Sequence, residues 1–385
     1  GTGAALAATI NGGGNNDRIE GGDAADTFNI TGSDSGEAIV GGVTSTFQSV
    51  ELLSGGVGAD TFSVSDTGSL SGGIDGGDDS DTLIGDNDGN TFVLTADNTG
   101  SLTDKLNAGA LSADGFSSVE NLTGGTGVDI FTIVFNLAGN VSGLAGADQV
   151  TVTAVTVGGQ VQGGNDDDAI ELQAGATING GTFGDAGMDV IQVTGTGTVV
   201  SNVDGGAGDD SIELAGTIML NGAIVGGADS DTVSSGDVVT VFAINATDSG
   251  QLIGRGATFS QVENLTGGSQ DDTFRFETNG RLSGTIDGAG NTGADVIEAS
   301  DGADIFTLTA GNEGTVQVGT VTATYLNVES LDGRGGTDSF IVQSGGTLSG
   351  LLNGGADSDV LTGSDDAETF TIAPGTPNAG TLENA

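Results

Sequence analysis

The residues best placed to do chemistry are aspartates, and they recur in one setting. Each closes a short glycine-rich turn and stands two residues before a large apolar side chain. GGVGADTFSV from Gly55, GGTGVDIFTI from Gly124 and GGAGDDSIEL from Gly205 are the strict copies. GGDAADTFNI from Gly21, GGSQDDTFRF from Gly267 and GRGGTDSFIV from Gly333 are looser ones. An aspartate in such a slot can accept backbone N–H groups of its own turn, which is a purely structural use. Two carboxylates across a cleft could instead hydrolyse a glycosidic bond.

Composition narrows that choice. The chain has 385 residues, with 54 acidic against 6 basic and a formal net charge of -48. The basic residues are scattered singly, so neither nucleic-acid binding nor a bond to anionic lipid is expected. A compact chain with this excess repels itself, and bound cations would relieve it. There is no His, Cys or Trp and only one Tyr. A lyase would need a base and a charge neutraliser that this composition hardly supplies. No aromatic-rich loop suited to stacking sugars interrupts the chain. A non-enzymatic protein is expected, with a polysaccharide-active enzyme as the lesser alternative. No apolar run reaches the ~20 residues needed to span a bilayer, so no membrane insertion is expected.

The elements that must position the aspartates form a repeat. An anchor, aromatic-x-x-Val-Glu-x-Leu-x-Gly, occurs at Phe47–Gly55, Phe116–Gly124, Phe259–Gly267 and Tyr325–Gly333. After each anchor comes the Gly-Gly-turn-Asp segment. A Leu-Ser-Gly element follows in GSLSGGIDGG from Gly68, GRLSGTIDGAG from Gly280 and GTLSGLLNGG from Gly346. A second Asp turn then arrives at Asp81, Asp295 and Asp359, and a third nine residues later at Asn90, Asp304 and Glu368. A looser segment leads to the next anchor. The anchors divide the chain into units 1–46, 47–115, 116–258, 259–324 and 325–385. The third unit is enlarged and degenerate, and the first and last are partial. A single continuous array, excerpted from a longer repeat protein, is the expectation. The anchor Glu reads as an outward strand residue or as a partner of turn N–H groups. The Asn-Leu-Thr triplets at Asn121 and Asn264 match a glycosylation sequon, and we read them as coincidence.

The segments after each Asp alternate apolar and polar residues, the period of half-buried strands. No stretch carries a capped 3.6-residue period, so little or no helix is expected. Short strands returning about every 20 residues predict an all-β fold, a parallel β-solenoid of short strands and Gly-Asp turns. The run VTVTAVTV from Val150 reads as one strand. Phe28, Phe62, Phe92, Phe131, Phe274, Phe306, Phe340 and Phe370 share one slot, two residues after the turn residue. They are expected to stack as a core ladder.

The strict motif, GGxGxDxUx with U a large apolar residue, resembles the calcium-binding β-roll nonapeptide of RTX-like exoproteins. The repeat style as a whole resembles secreted bacterial β-solenoid proteins, filamentous-haemagglutinin-like adhesins among them. The resemblance implies Ca²⁺ held by Asp carboxylates and turn carbonyls, a hard-oxygen donor set. It carries metal-ligand candidacy to Asp60, Asp129 and Asp210 first, then to Asp26, Asp81, Asp231, Asp272, Asp295, Asp338 and Asp359. This sequence departs from the family because its nonapeptides come in interrupted pairs. The implied role is extracellular or cell-surface: a segment of a fibre, surface layer or adhesin that self-associates into fibre, lattice or matrix. Cell-surface or polysaccharide contacts are further implied partners. The alternative is a calcium-dependent secretion or stalk module presenting another domain.

Overall fold

The structure is a computed structural model that describes residues 8–104, 115–216, 218–290, 294–365, 367–372 and 379–384. These residues form short strands and turns, with no helix among them. The chain is an all-β parallel solenoid whose short strands fall into two long sheets and a small third one, with the apolar side chains buried. It divides into two compact units, residues 1–191 with 198–201, and residues 192–197 with 202–385.

In the first unit each rung crosses from one sheet to the other and back. Thr61–Val64 pairs in parallel with Thr82–Ile84, that with Asn121–Thr123, and that with Val141–Ala145. On the other sheet Ile130–Ile133 pairs with Gln149–Val152 and then with Ala169–Leu172. The register puts like on like. Phe62, Leu83, Leu122, Val141 and Val161 are successive partners, and all are buried. Period-two alternation explains this, since a one-residue slip would turn every apolar side chain outward. The nine-residue steps seen in the sequence run from one corner of a rung to the opposite corner. Asp81 precedes a strand of one sheet, and Asn90 opens a strand of the other.

The loose segment of each repeat is an antiparallel excursion that the sequence did not announce. In the first unit Thr27–Gly32, Ser35–Val40 and Val43–Gln48 form a three-stranded meander, and Asn90–Ala96, Thr99–Asp104 and Phe116–Ser117 form another. The outer strands of each meander continue the parallel ladders. The two meanders lie in opposite sheets. In the second unit the same is true of Val241–Ala246, Ser249–Ile253 and Ala257–Ser260, and of Asp304–Ala310, Glu313–Val318 and Val321–Leu326. Successive anchors therefore land on alternating sheets within each unit. The stretch from Val141 to Asp237 looked degenerate because its rungs carry no meander.

The expected phenylalanine ladder is present as pairs. Phe28 stacks on Phe62 at 5.0 Å, Phe92 on Phe131 at 4.7 Å, Phe242 on Phe274 at 5.1 Å and Phe306 on Phe340 at 4.9 Å, all with near-parallel rings. Aliphatic residues continue each ladder beyond the pair, as Leu83 does after Phe62. Each buried Phe contributes about 1.5–3 kcal/mol. Phe242 belongs to this slot although a Thr replaces its Asp, which hid it from the motif. The side chain of Phe370 lies outside the described residues. The run from Val150 to Val157 is two strands, Gln149–Val152 and Thr156–Val157, broken at Ala154 with its φ of 56°. The second piece starts a small third sheet with Thr177–Ile178 and Val199–Val200.

Candidate functional site

The aspartates singled out by the sequence sit at the solenoid corners, one per rung, and they point inward. Asp26, Asp60, Asp81, Asp129, Asp210, Asp231, Asp272, Asp295 and Asp338 are all buried, while Asp359 is half-buried. Each is bonded to a neighbouring rung. The backbone N–H of Asp26 donates to Asp60 Oδ1 at 2.6 Å, and that of Asp60 to Asp81 Oδ1 at 2.7 Å. In the second unit Asp210 donates to Asp231 at 2.9 Å, and Asp272 to Asp295 at 2.7 Å. Asp304 donates to Asp338 at 2.8 Å, and Asp338 to Asp359 at 3.0 Å. The spacing between bonded corner residues is 19–21 on most plain rungs and 32–39 where a meander intervenes, Asn90 and Thr240 standing in for Asp at the two extremes.

Sequence reasoning missed several members of these rows. Asn90, Asp129, Asp148, Asp168 and Asp189 form one continuous row, each backbone N–H donating to the next side chain at 2.6–2.8 Å. Asp148 and Asp189 lack the second glycine of the motif, where Leu144 and Asp185 stand, whereas Asp168 follows Gly163-Gly164 in the same pattern as Asp231 and was legible in the sequence. Thr240 also occupies the slot and donates to Asp272 Oδ1 at 2.7 Å.

The anchor glutamate ends a row, as a partner of turn N–H groups. Asp17, Asp81, Asp231 and Asp295 donate their backbone N–H to Glu51, Glu120, Glu263 and Glu329 at 2.8–2.9 Å. Glutamate serves here because it is one methylene longer than the aspartate it replaces, on the rung that returns from a meander. Glu120 and Glu329 also accept from the side-chain amides of Asn98 and Asn312, the turn residues of the neighbouring meanders. The sequon residues Asn121 and Asn264 are spent in the same way. Their amides donate to the carbonyls of Asp81 and Asp231.

The geometry explains the double glycine of the motif. A Cβ on Gly55 would lie 2.1 Å from Asp60 Oδ2 and 2.4 Å from the Gly76 carbonyl oxygen. The carboxylate thus rests on the bare Cα of its own turn. Gly77, with a φ of 111°, faces the Gly56 carbonyl so closely that a side chain there would strike it at 2.2 Å.

The second oxygen of these carboxylates is the chemical oddity. Oδ2 of Asp60, Asp81, Asp148, Asp168, Asp231, Asp272, Asp295, Asp338 and Asp359 is buried without a hydrogen-bond partner. Burial pushes the carboxyls of Asp81, Asp231 and Asp272 up to about 6 and those of Asp295 and Asp338 up to about 7. The N–H from the preceding rung opposes the shift in each case.

A calcium ion does not fit this inner row. It takes 6–8 oxygens at 2.3–2.6 Å. Here Oδ1 is engaged by an N–H, and that donor points into the gap between successive carboxylates. Oδ2 is packed on glycine, and among the described residues no three acidic side chains converge as a metal site requires. A second, outer set of carboxylates is exposed at the turn tips, at Asp23, Asp79, Asp166, Asp209, Asp229, Asp271 and Asp357. Several of these also tie rungs. Asp79 accepts from Gly58 N at 3.2 Å, Asp166 from Gly146 N at 3.2 Å and Asp271 from Ala294 N at 2.9 Å. Among the described residues no arginine forms an ion pair with a row carboxylate, although the charge of Arg255 opposes the rise at Asp272 and that of Arg281 the rise at Asp304. Arg255 donates to the carbonyls of Leu214, Gly216 and Ser235 instead.

The chain matches neither a protein-family model nor any curated protein in comparisons with both.

Proposed function

We propose that this chain is a non-enzymatic structural segment of an extracellular or cell-surface assembly, a fibre, surface layer or adhesin, built as an acidic spacer. One observation carries the reading. The polar side chains that could have done chemistry are consumed in joining each rung to the next. The buried Asp and Glu rows, the sequon asparagines and many turn-tip aspartates all serve as rung-to-rung acceptors or donors. What the surface retains is a fringe of exposed carboxylates at the corners.

That fringe is where cations, Ca²⁺ foremost, would gather. An exposed turn-tip carboxylate keeps oxygens facing solvent, and neighbouring tips add carbonyls. Such ions would order the turns and bridge acidic faces of adjacent molecules, supporting self-association into fibre, lattice or matrix. Contacts with cell-surface polysaccharide would run through the same bridging ions. The alternative role, a stalk or secretion module presenting another domain, uses the same rigidity and differs in what is attached to it.

Electron microscopy of the native material tests the reading: filaments or lattices are expected, and isolated particles carrying a distinct head favour the stalk. Far-UV circular dichroism and melting, with EDTA and then with excess Ca²⁺, test the ion. A rise in melting temperature with Ca²⁺ is expected, and identical curves remove calcium from the proposal.

A further inference from the structure

The plain rungs of the first unit are polarised in charge. From Ile130 to Ile191 the chain holds seven charged residues, all acidic. All but Glu171 lie where the chain passes from one long sheet to the other, as from Val141–Ala145 to Gln149–Val152. The return passage runs through the small third sheet and is neutral. Residues 133–141, 152–161 and 172–182 contain no charged side chain. Strands of one sheet run parallel from rung to rung, so the two passages sit at opposite ends of each strand. Gln149–Val152 begins at the Asp148 corner and ends toward Thr156–Val157. Four residues of strand separate the two by ~13 Å. That exceeds the ~8 Å over which a charge is felt at physiological salt.

The neutral side is regular, and its polar groups are spent within the chain. Leu137 bridges to Val157, and Thr156–Val157, Thr177–Ile178 and Val199–Val200 pair in register, with Val157, Ile178 and Val200 buried. Thr153 Oγ1 donates to Gln173 Oε1 at 2.7 Å. The side-chain oxygens of Asn136 and Asn140 accept the Thr156 and Gln160 backbone N–H at 2.9 and 2.8 Å. Covering this side therefore breaks few hydrogen bonds to water, a cost that most polar surfaces impose on association. Ala154 and Ala174 are exposed along it, and Val134 and Phe135, 39% and 41% exposed, stand at its first rung.

We propose that this side is where a second copy of the chain docks, neutral side against neutral side, with the acidic corners turned outward. A chain of net charge -48 repels its own copies wherever carboxylates meet. A neutral side is where that repulsion is least, and its exposed apolar residues gain by being covered. A basic partner would be drawn to the acidic corners instead, and a carbohydrate would need the hydrogen-bonding groups that this side has spent. Four rungs at ~4.8 Å make the side about 15–20 Å tall. That falls short of the ~800 Å² per partner of a stable complex, so the pair is weak and forms at the high local concentration of a fibre or lattice. The inference rests on the reading of the chain as a self-associating structural segment. It adds to the ion-bridged contacts one that needs no ion.

Sedimentation velocity of the full chain in EDTA, from about 10 μM to about 1 mM, reads the pair directly. A reversible dimer is expected, tightening as NaCl rises because salt screens the acids that remain. Ala154→Asp with Ala174→Asp should weaken it by about tenfold or more, since like charges then meet across the contact. Ala154 already holds a φ of 56°, which Asp adopts more readily than Ala, and both sites are exposed, so this variant should fold. Ala147→Asp adds charge at the acidic corner, where Asp167 stands in the equivalent position of the next rung, and should change the affinity by less than about twofold. Phe135→Ser adds no charge and should also weaken the pair, and it decides the matter if the double Asp variant fails to fold. A parent that stays monomeric in EDTA overturns the inference. So does a double Asp or Phe135→Ser variant that pairs as tightly as the parent, or an Ala147→Asp variant that pairs as weakly as the double. Dimers that appear only when Ca²⁺ is restored overturn it as well and leave the ion-bridged reading standing, whereas a chain monomeric with and without Ca²⁺ overturns both.

Discussion

Asp34 and Ser71 are joined twice across 37 residues: the Ser71 backbone N–H donates to Asp34 Oδ1 at 2.6 Å, and its hydroxyl to Oδ2 at 2.9 Å. Asp34 is the turn residue of the first meander, with a φ of 48°, and Ser71 is the serine of the Leu-Ser-Gly element. Asp248 and Ser283 repeat the pair, and Asn312 and Ser349 do so with an amide. The same turn residue gives its N–H to the Ser69 carbonyl and its carbonyl to the Val50 N–H. One residue thus latches the meander to both the anchor and the following rung. Asp34→Ala should lose about 2 kcal/mol, from the bonds and from strain at a positive φ. Asp34→Asn, which tolerates that φ and keeps an acceptor, should stay within about 0.5–1 kcal/mol of the parent. Urea denaturation of the two variants checks the contrast, and equal losses would refute the latch.

Gly250 should accept no side chain. It lies in the central strand of the third meander, under the ring of the anchor residue Phe259. A Cβ there would come within 2.3 Å of the Ala243 carbonyl oxygen and 2.6 Å of Phe259 Cζ. The same arrangement joins Gly36 to Phe47, Gly100 to Phe116 and Gly314 to Tyr325. Gly250→Ala should therefore cost more than about 3 kcal/mol, because the carbonyl cannot move without breaking the ladder. Pairing it with Phe259→Leu should restore only part. Gly14→Ala, where a Cβ meets open space, should fall within about 0.5 kcal/mol of the parent. Melting temperatures of the three proteins give the comparison.

The aromatic-to-glycine contact shows why the meanders were hard to read. In the sequence, Gly36 and Phe47 are a glycine in a loose segment and an anchor aromatic, with no spacing that ties them. The distances to the aromatic differ from one meander to the next, and the turn residue is sometimes Asp and sometimes Asn. The plain rungs were legible because stacking forces like residues onto like, and that writes the Gly-Asp-Phe rhythm into the chain. The candidate site was legible as positions, since nine of the ten aspartates are buried corner residues. Its chemistry was not, because a turn aspartate looks the same in sequence whether its carboxylate faces solvent or the neighbouring backbone. Asp148 and Asp189 escaped for a related reason: the corner tolerates Leu144 and Asp185 at positive φ in place of the second glycine, so the glycine signature fades while the slot persists.

Glu120 should be more sensitive than an outward glutamate. It takes the Asp81 backbone N–H at 2.8 Å and the Asn98 amide at 2.9 Å, and Asp81 is fully buried. Glu120→Ala leaves both donors without partners, at a cost of about 2–4 kcal/mol. Glu120→Gln retains one acceptor oxygen and should lose roughly half as much. Hydrogen exchange at the Asp81 amide is the specific readout. It should speed up strongly in the Ala variant and weakly in the Gln variant, and an unchanged rate in both would show that the glutamate is not an end-cap.

Asp295 offers a pH test in the second unit. Its carboxyl is pushed up to about 7, chiefly by burial, with Glu329, Asp272 and Asp271 adding to the rise and the Asp272 N–H opposing it. The sign follows from linkage. The folded value lies above the unfolded one, so the stability tied to this proton is whole below about pH 4, declines above that and is spent beyond about pH 7. Asp295→Asn keeps the acceptor for the Asp272 N–H and has no proton to lose. Its melting temperature should fall below or match the parent's at about pH 4.5 and exceed it at about pH 8. Asp295→Ala should be less stable than the parent at both, because the buried Asp272 N–H loses its 2.7 Å partner whatever the pH. A crossing of the Asn and parent curves, absent for Ala, separates the proton from the hydrogen bond. Parallel curves for all three would mean that Asp295 is ionised throughout.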